Sequence, residues 1–171
     1  AGTFCVAATV AKGNLEILDF DAKIIKTELN LLKKFGAKIK IKNKKIFIKG
    51  PENIKSIKNI KTKEYPGVST DMQSQLMVIM CLANGKGSIT ENIFENRFMH
   101  VAELRRLGAK ININRNQATI EGNTKFIGAE LMKAHNSCIL EVLTQNIHNG
   151  GGCFFFEAQR ASLIISVRLP T

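Results

Sequence analysis

The sequence lacks several features that would place it in a class at once. Its four cysteines are scattered without a C-x-x-C pair, and only three histidines accompany them. This argues against a zinc site or a disulfide framework and favours a reducing compartment. No apolar run reaches about 18 residues, the length that a membrane-spanning helix needs. The apolar start at 1–11 has no basic leading region, so we do not interpret it as a secretory signal and expect a cytoplasmic protein.

Acidic residues are also scarce, with 14 Asp and Glu against 25 Lys and Arg and a formal net charge of +11. A basic surface favours anionic partners such as nucleic acid or sugar phosphates. Lysine alternates with isoleucine at 39–42, however, which is typical of the solvent face of a strand. Because Tyr65 is the one aromatic ring that we expect to be free for stacking on a base, nucleic-acid binding is the weaker interpretation.

An internal repeat organises the chain. Residues 31–40 and 103–112 share a pattern in which an amphipathic segment ends at Gly-Ala-Lys and enters an alternating strand. Gly36 and Gly108, which lie 72 residues apart, suit the left-handed stop of a helix. Each copy then turns at polar residues and runs back as a second strand. The pattern predicts the same small α/β unit twice.

Upstream of each copy lies a segment that is apolar on all sides, at 4–10 and 76–82, which predicts two buried helices. We therefore expect an α/β (α+β) fold in which residues 1–132 form one globular half. That half would contain repeat units at about 1–50 and 65–122 and the start of a third unit. Because the chain opens inside the first helix, we expect it to enter a longer protein in mid-unit.

The first segment that departs from the repeat is a turn that runs straight into the second buried helix. We predict a capping box formed by Thr70 and Gln73, with Asp71 in the first helical turn. The helix dipole stabilises an acid at this place, which is a structural reason for Asp71. The functional alternative is that this carboxylate accepts a proton from a sugar hydroxyl.

The second departing segment, 91–101, packs two aromatics, two acids, an arginine and a histidine into a connection. Connections usually hold turn formers instead. We place Arg97 near the start of the amphipathic helix, where the dipole disfavours a cation. An arginine there predicts an anionic partner, because its fork matches carboxylate and phosphate. We interpret His100 as a surface or packed histidine in preference to a functional one.

Together the two segments resemble those of the UDP-N-acetylglucosamine enolpyruvyl transferases, the MurA family. Pro66, Thr-Asp-Met-Gln at 70–73 and Gln75 are similar to one family signature. Phe-Glu-Asn-Arg-Phe-Met-His-Val at 94–101 is similar to another, and it is the more specific of the two. The resemblance runs from the first residue to about Met132.

The resemblance implies a protein of two globular halves, each of three βαβαββ units, in the EPSP synthase-like inside-out α/β barrel. It implies transfer of the enolpyruvyl group of phosphoenolpyruvate to the 3′-hydroxyl of UDP-N-acetylglucosamine, the first committed step of peptidoglycan synthesis. The active site would lie in the cleft between the halves. The implied partners are these two substrates and the missing other half, with no metal and no organic cofactor.

The resemblance also implies roles for single residues by their place in the motifs. Asp71 would contact the 3′-hydroxyl and serve as its base, and Arg97 would be the catalytic cation on the phosphoenolpyruvate side. Ile93 would contact the UDP-sugar through its backbone, with Phe94 beside it. Thr70 would also bind the sugar nucleotide.

The chain departs from the family pattern at several points. The mobile loop with the catalytic Cys or Asp, which belongs to the other half, is absent, and so are the early Lys-Asn pair and other cations that hold phosphate. Residues 133–137 stand where a Thr-Asp-Leu-Arg-type segment is expected. We interpret 133–171 as a frameshift product, a diverged tail or an insertion, and expect no transferase activity from this chain alone. A non-catalytic remnant and a basic polyanion-binding module stay open as alternatives. Ser69 stands where the family usually carries proline, a difference whose effect on the turn the sequence leaves open.

Overall fold

The computed structural model of the chain describes residues 1–127 and the backbone of 165–168. Within these residues two four-stranded sheets and four helices contribute to one hydrophobic core. The elements in chain order are α1 Gly2–Val10, β1 Asn14–Ile17, α2 Lys26–Phe35, β2 Lys38–Lys42, β3 Lys45–Lys49, β4 Asn59–Lys61, a 3₁₀ turn Thr70–Met72, α3 Gln73–Leu82, β5 Gly87–Thr90, α4 Val101–Arg106, β6 Ile111–Asn114, β7 Gln117–Ile120 and β8 Ile165–Arg168.

The two sheets repeat one arrangement. The first has the order β2-β3-β1-β8 and the second β4-β5-β7-β6, so a hairpin lies antiparallel to a central strand in each. We call α1 to β3 the first repeat and α3 to β7 the second repeat. The outer neighbour of the central strand differs, since β4 runs parallel to β5 whereas β8 runs antiparallel to β1.

The strands form where apolar and polar residues alternate. In β3 the side chains of Ile46 and Ile48 are buried while Lys45 and Lys49 are exposed. This is the period of two that a sheet with one solvated face requires. The predicted solvent face of lysines is confirmed in β2, where all three lysines are exposed, although Ile41 is exposed as well.

The helices end where the sequence predicts. Gly36 at φ +108° and Gly108 at φ +100° adopt the left-handed conformation that follows α2 and α4, where a side chain would be strained. The two all-apolar segments become α1 and α3, which pack against each other in the core. Both predicted buried helices are confirmed.

Cys5 of α1 and Cys81 of α3 are fully buried free thiols. Burial raises the pKa of each thiol to about 12, so both act as small apolar side chains. Among the described residues, no group of His, Cys, Asp and Glu could hold a metal ion. No helix in the described part of the chain is long and apolar enough to cross a membrane.

Most of 133–171, which we interpret as a frameshift product, a diverged tail or an insertion, lies outside the described residues. Its backbone enters the description at β8. The predicted start of a third unit is described only as far as Ile127. The unit boundaries at about 1–50 and 65–122 therefore stay a prediction.

Candidate active site

The two unusual sequence segments meet in space. A cleft of about 940 Å³ is lined by residues 91–99 together with Ile113, Arg115 and Asn116. The guanidinium Nη2 of Arg97 donates to Oδ1 of Asp71 at 3.1 Å, which joins the start of α3 to the wall of the cleft. The side chain of Asp71 is 84% exposed and that of Arg97 39%, so both remain accessible to a ligand.

A 3₁₀ turn in front of α3 positions Asp71. Ser69 is the N-cap of this turn, and its Oγ accepts the Asp71 N–H at 3.2 Å. The predicted capping box of Thr70 and Gln73 is therefore wrong. An N-cap needs extended backbone, which Ser69 has at φ −61° and ψ 136°, whereas Thr70 already lies inside the turn.

The two residues of the expected capping box have other surroundings. The Thr70 hydroxyl donates to Oε2 of Glu91 at 2.8 Å. Gln73 is buried, and its Nε2 has no hydrogen-bond partner among the described residues. The hydroxyl thus points across to the second segment and not along its own helix.

Arg97 lies in turns before the helix near whose start we placed it. The helix α4 begins only at Val101, and residues 95–100 form turns with Asn96 at φ +56°. The expected conflict with the helix dipole is therefore wrong. The cation is held by Asp71 and stacks over the ring of Phe94, 5.4 Å from its centroid.

Ile93 and Phe94 form one wall of the cleft. Ile93 is partly buried, whereas the Phe94 ring is 57% exposed and offers an apolar surface beneath the guanidinium of Arg97. The structure thus brings all five residues of the sequence-based site to one cleft or its rim: Thr70, Asp71, Ile93, Phe94 and Arg97.

Glu91 is the residue that sequence reasoning missed. Its side chain is only 3% exposed, and its carboxylate accepts hydrogen bonds from the hydroxyl of Thr62 at 2.8 Å and from the backbone N–H groups of Ile93 at 2.9 Å and Phe94 at 3.3 Å, besides the Thr70 hydroxyl. A signal was available, because the alternation of β5 buries Gly87 and Ile89 and continues to Glu91.

Two opposed effects set the pKa of Glu91. Burial acts to raise it, but the hydrogen bonds from Ile93, Thr62, Thr70 and Phe94 together outweigh burial and hold the pKa below its usual value. Glu91 is therefore a carboxylate at neutral pH.

His100 is packed beneath the same segment. Burial, assisted by the nearby charge of Arg97, lowers the pKa of His100 to about 4, although a hydrogen bond with the backbone of Arg97 works against this. Its Nε2 is buried without a hydrogen-bond partner among the described residues. Of the two alternatives for His100, surface or packed, the structure shows the packed one.

Comparisons with known proteins identify the family and the fold of the chain. The sequence model of the family described as EPSP synthase (3-phosphoshikimate 1-carboxyvinyltransferase) matches residues 1–136. The chain is 57% identical over 147 residues to the UDP-N-acetylglucosamine 1-carboxyvinyltransferase of Pelagibacter ubique, covering 84% of this chain and 35% of that protein. It is 46% identical over 175 residues to the protein of that name from Geotalea daltonii, covering 95% of this chain and 42% of that protein.

Solved structures share the fold at low sequence identity. The enolpyruvyl transferase NikO from Streptomyces tendae matches with a TM-score of 0.65 and 19% identity, over 72% of this chain and 29% of that one. An EPSP synthase from Acinetobacter baumannii matches with a TM-score of 0.59 and 12% identity, over 98% of this chain and 44% of that one. The predicted fold class is confirmed. The chain spans about a third to two fifths of the length of these curated relatives.

Proposed function

This chain belongs to the EPSP synthase family, and from that membership we propose that it supplies one part of a UDP-N-acetylglucosamine 1-carboxyvinyltransferase. Curated relatives at 42–57% identity carry that name, which agrees with the resemblance of the two motif segments. The proposed reaction moves the enolpyruvyl group of phosphoenolpyruvate to the 3′-hydroxyl of UDP-N-acetylglucosamine. Such an enzyme would serve peptidoglycan synthesis in the cytoplasm.

The Asp71–Arg97 ion pair at 3.1 Å carries the proposal. These residues come from different elements, and folding brings them together on one cleft, as the two roles require. One oxygen of Asp71 faces Arg97, while its 84% exposure leaves the carboxylate open to a sugar hydroxyl. In the proposed step Asp71 accepts the hydroxyl proton as the sugar oxygen bonds to C2 of phosphoenolpyruvate, while the C2=C3 π bond breaks and C3 takes up a proton from an acid of the other half.

Arg97 supplies the positive charge for the same step. The tetrahedral intermediate then loses phosphate from C2 and a proton from C3, which restores the C2=C3 double bond, and a fixed cation stabilises the negative charge of its phosphate and carboxylate groups. Asp71 and the Phe94 ring already hold the guanidinium before substrate arrives. This preorganisation removes the need to order a long side chain during the reaction.

The remaining contacts belong to binding. Ile93 and the exposed ring of Phe94 line the wall of the cleft, where we place the sugar nucleotide. Thr70 adjoins Asp71 at the rim. Because the chain spans about a third to two fifths of its relatives, the other substrate contacts would come from the other half of the protein.

Binding tests the proposal without turnover. The chain should bind UDP-N-acetylglucosamine in calorimetry, and Asp71→Asn should weaken binding about tenfold, as loss of a hydrogen bond to a charged group predicts. Glu52→Gln is the matched control, because Glu52 is an acid with 83% exposure outside the cleft. Equal affinity of the Asp71→Asn variant and the wild type would contradict the proposed role of Asp71.

Activity gives a second test. The chain alone should release no phosphate above background from UDP-N-acetylglucosamine and phosphoenolpyruvate, because the resemblance places further phosphate-binding cations in the other half. Addition of that half should restore turnover. If the isolated chain released phosphate, the proposal that it carries only part of the active site would be wrong.

A polyanion surface is the second candidate. A groove of about 580 Å³ on the outer face of the first sheet is lined by Lys38, Lys40 and Lys49 among others. Such a surface would bind DNA of any sequence with a steep dependence on salt. Binding of UDP-N-acetylglucosamine that is insensitive to competing DNA would favour the cleft over this groove.

A further inference from the structure

The carboxylate of Glu91 joins three separate segments of the chain. Its Oε1 takes the Thr62 hydroxyl from the end of β4 and two backbone N–H groups from the cleft wall, and its Oε2 takes the Thr70 hydroxyl from the turn before α3. These segments contain both partners of the Asp71–Arg97 pair. Glu91 itself lines the cleft but is only 3% exposed.

The hydrogen bond between Glu91 and Thr70 has a direction that matters for Arg97. A threonine hydroxyl has one proton, and here that proton is donated to Oε2 of Glu91 at 2.8 Å. Only lone pairs then remain toward Arg97, whose Nε lies 3.5 Å from the same oxygen. The carboxylate thus turns the hydroxyl into an acceptor for the cation.

The same carboxylate orients the cleft wall. The N–H groups of Ile93 and Phe94 both point inward to Oε1, so the peptide groups of this wall have a fixed orientation. A second hydrogen bond holds the connection after β5, because Thr62 Oγ1 accepts the N–H of Asn92 at 2.9 Å while it donates to Glu91. A buried charge is unfavourable unless it is hydrogen-bonded, and these four donors satisfy it.

We propose that Glu91 is a positioning residue, which holds the turn that carries Asp71 against the segment that carries Arg97. This rests on the proposed function only in that Asp71 and Arg97 act on substrate. The geometric part concerns the protein without ligand, so it is tested separately.

Nuclear magnetic resonance of the unliganded chain tests the geometry. Glu91→Gln keeps the size and an oxygen for the two backbone N–H groups, but it places a donor where the Thr70 proton needs an acceptor. We expect the Arg97 Nε–H signal to shift and its hydrogen exchange to accelerate severalfold, while Ile93 and Phe94 amides keep their protection. Unchanged Arg97 exchange in a folded Glu91→Gln variant would overturn the proposal.

Thr70 gives a matched pair that keeps the test decisive if Glu91→Gln fails to fold. Thr70→Val replaces the hydroxyl by a methyl group and should reproduce the change at Arg97, whereas Thr70→Ser retains the hydroxyl and should give the Arg97 signal of the wild type. Glu103→Gln, which removes a partly buried acid outside the cleft, should also leave Arg97 unchanged. Equal Arg97 signals in the valine and serine variants would contradict the proposal.

Ligand affinity then tests the functional part. Glu91→Gln should bind UDP-N-acetylglucosamine about tenfold more weakly, while Glu103→Gln, outside the cleft, keeps wild-type affinity. If the wild type fails to bind, the proposed function fails, yet the resonance experiment still decides the role of Glu91. Wild-type affinity in a Glu91→Gln variant with a disturbed Arg97 signal would overturn the link to substrate.

Discussion

The two repeats share a scaffold, but only one carries the candidate site. Asp19 stands 72 residues before Glu91 and follows the equivalent central strand. Asp19 is exposed at φ +52°, whereas Glu91 is buried with four hydrogen-bond donors. Likewise Ile25, which just precedes α2, occupies the place of Arg97. The strands and helices therefore form the same frame in both repeats, while the connection after the central strand decides which repeat carries the candidate site.

The largest effect should come from the core that both repeats build in the same way. Phe35 and Leu107 occupy equivalent places, 72 residues apart, and both are fully buried. Phe35→Ala should lower the free energy of unfolding by about 3–5 kcal/mol and Leu107→Ala by about 2–5 kcal/mol. Urea denaturation measures both, with Phe47→Ala as the control because Phe47 is 39% exposed. A small loss at either buried site would break the equivalence of the two scaffolds.

Acid should destabilise the second repeat through His100. Its pKa of about 4 in the folded protein lies below the usual 6.5, so the unfolded chain binds the proton first as pH falls. Stability is therefore lost between pH 6.5 and about 4, by about 2 kcal/mol from pH 7 to pH 5. His100→Asn should flatten this part of the stability profile in urea titrations. The other two histidines stay in place, so an unchanged slope would contradict the assignment to His100.

The next largest difference in stability is expected between substitutions of the two acids that follow the equivalent central strands, Glu91 and Asp19. Glu91→Gln leaves the Thr70 proton without its acceptor and should cost about 1–2 kcal/mol of unfolding free energy. Asp19→Asn changes an exposed side chain and should stay within about 0.5 kcal/mol. Thermal melts of the two variants at neutral pH measure this difference. Equal losses would show that the burial of Glu91 does not distinguish the repeats.

The smallest effect is expected at Ser69, where the family usually carries proline. Its φ of −61° suits proline, whose restriction of the unfolded chain contributes about 0.4–1 kcal/mol. Ser69→Pro would also lose the cap on the Asp71 N–H, worth about 1 kcal/mol, so the net change should be near zero. Ser69→Ala loses the cap alone and should cost about 1 kcal/mol in a chemical denaturation series. A Ser69→Pro variant that is less stable than the Ser69→Ala variant would contradict the expected cancellation of the two effects.

Local patterns in the sequence predicted most of the fold. The repeat, the two glycine stops, the two buried helices and the lysine faces each depend on residues that are neighbours in the chain. The Thr70–Gln73 capping box failed because a single 3₁₀ turn moves the N-cap to Ser69. The start of α4 failed because residues 95–100 form turns instead of a helix.

The candidate site was only partly predictable, because it depends on contacts between residues that are distant in the chain. The motif resemblance selected Asp71 and Arg97, but their contact at 3.1 Å depends on how α3 and the connection after β5 pack together. No pattern of neighbouring residues in the sequence predicts that contact. The burial of Glu91 could have been predicted, since the strand alternation through Ile89 points its side chain inward. An acid at such a place is nevertheless expected to face solvent until its four hydrogen-bond donors are known.

The two buried thiols can report how often each repeat opens. Cys5 and Cys81 lie in α1 and α3, one in each repeat, and with a pKa of about 12 neither reacts at neutral pH while it is buried. An alkylating reagent therefore reaches each sulfur only when its own helix opens. Because α1 packs on α3, neither helix can leave the core without uncovering the other. Matching labelling rates at the two sulfurs would accordingly record the two repeats opening as one cooperative body.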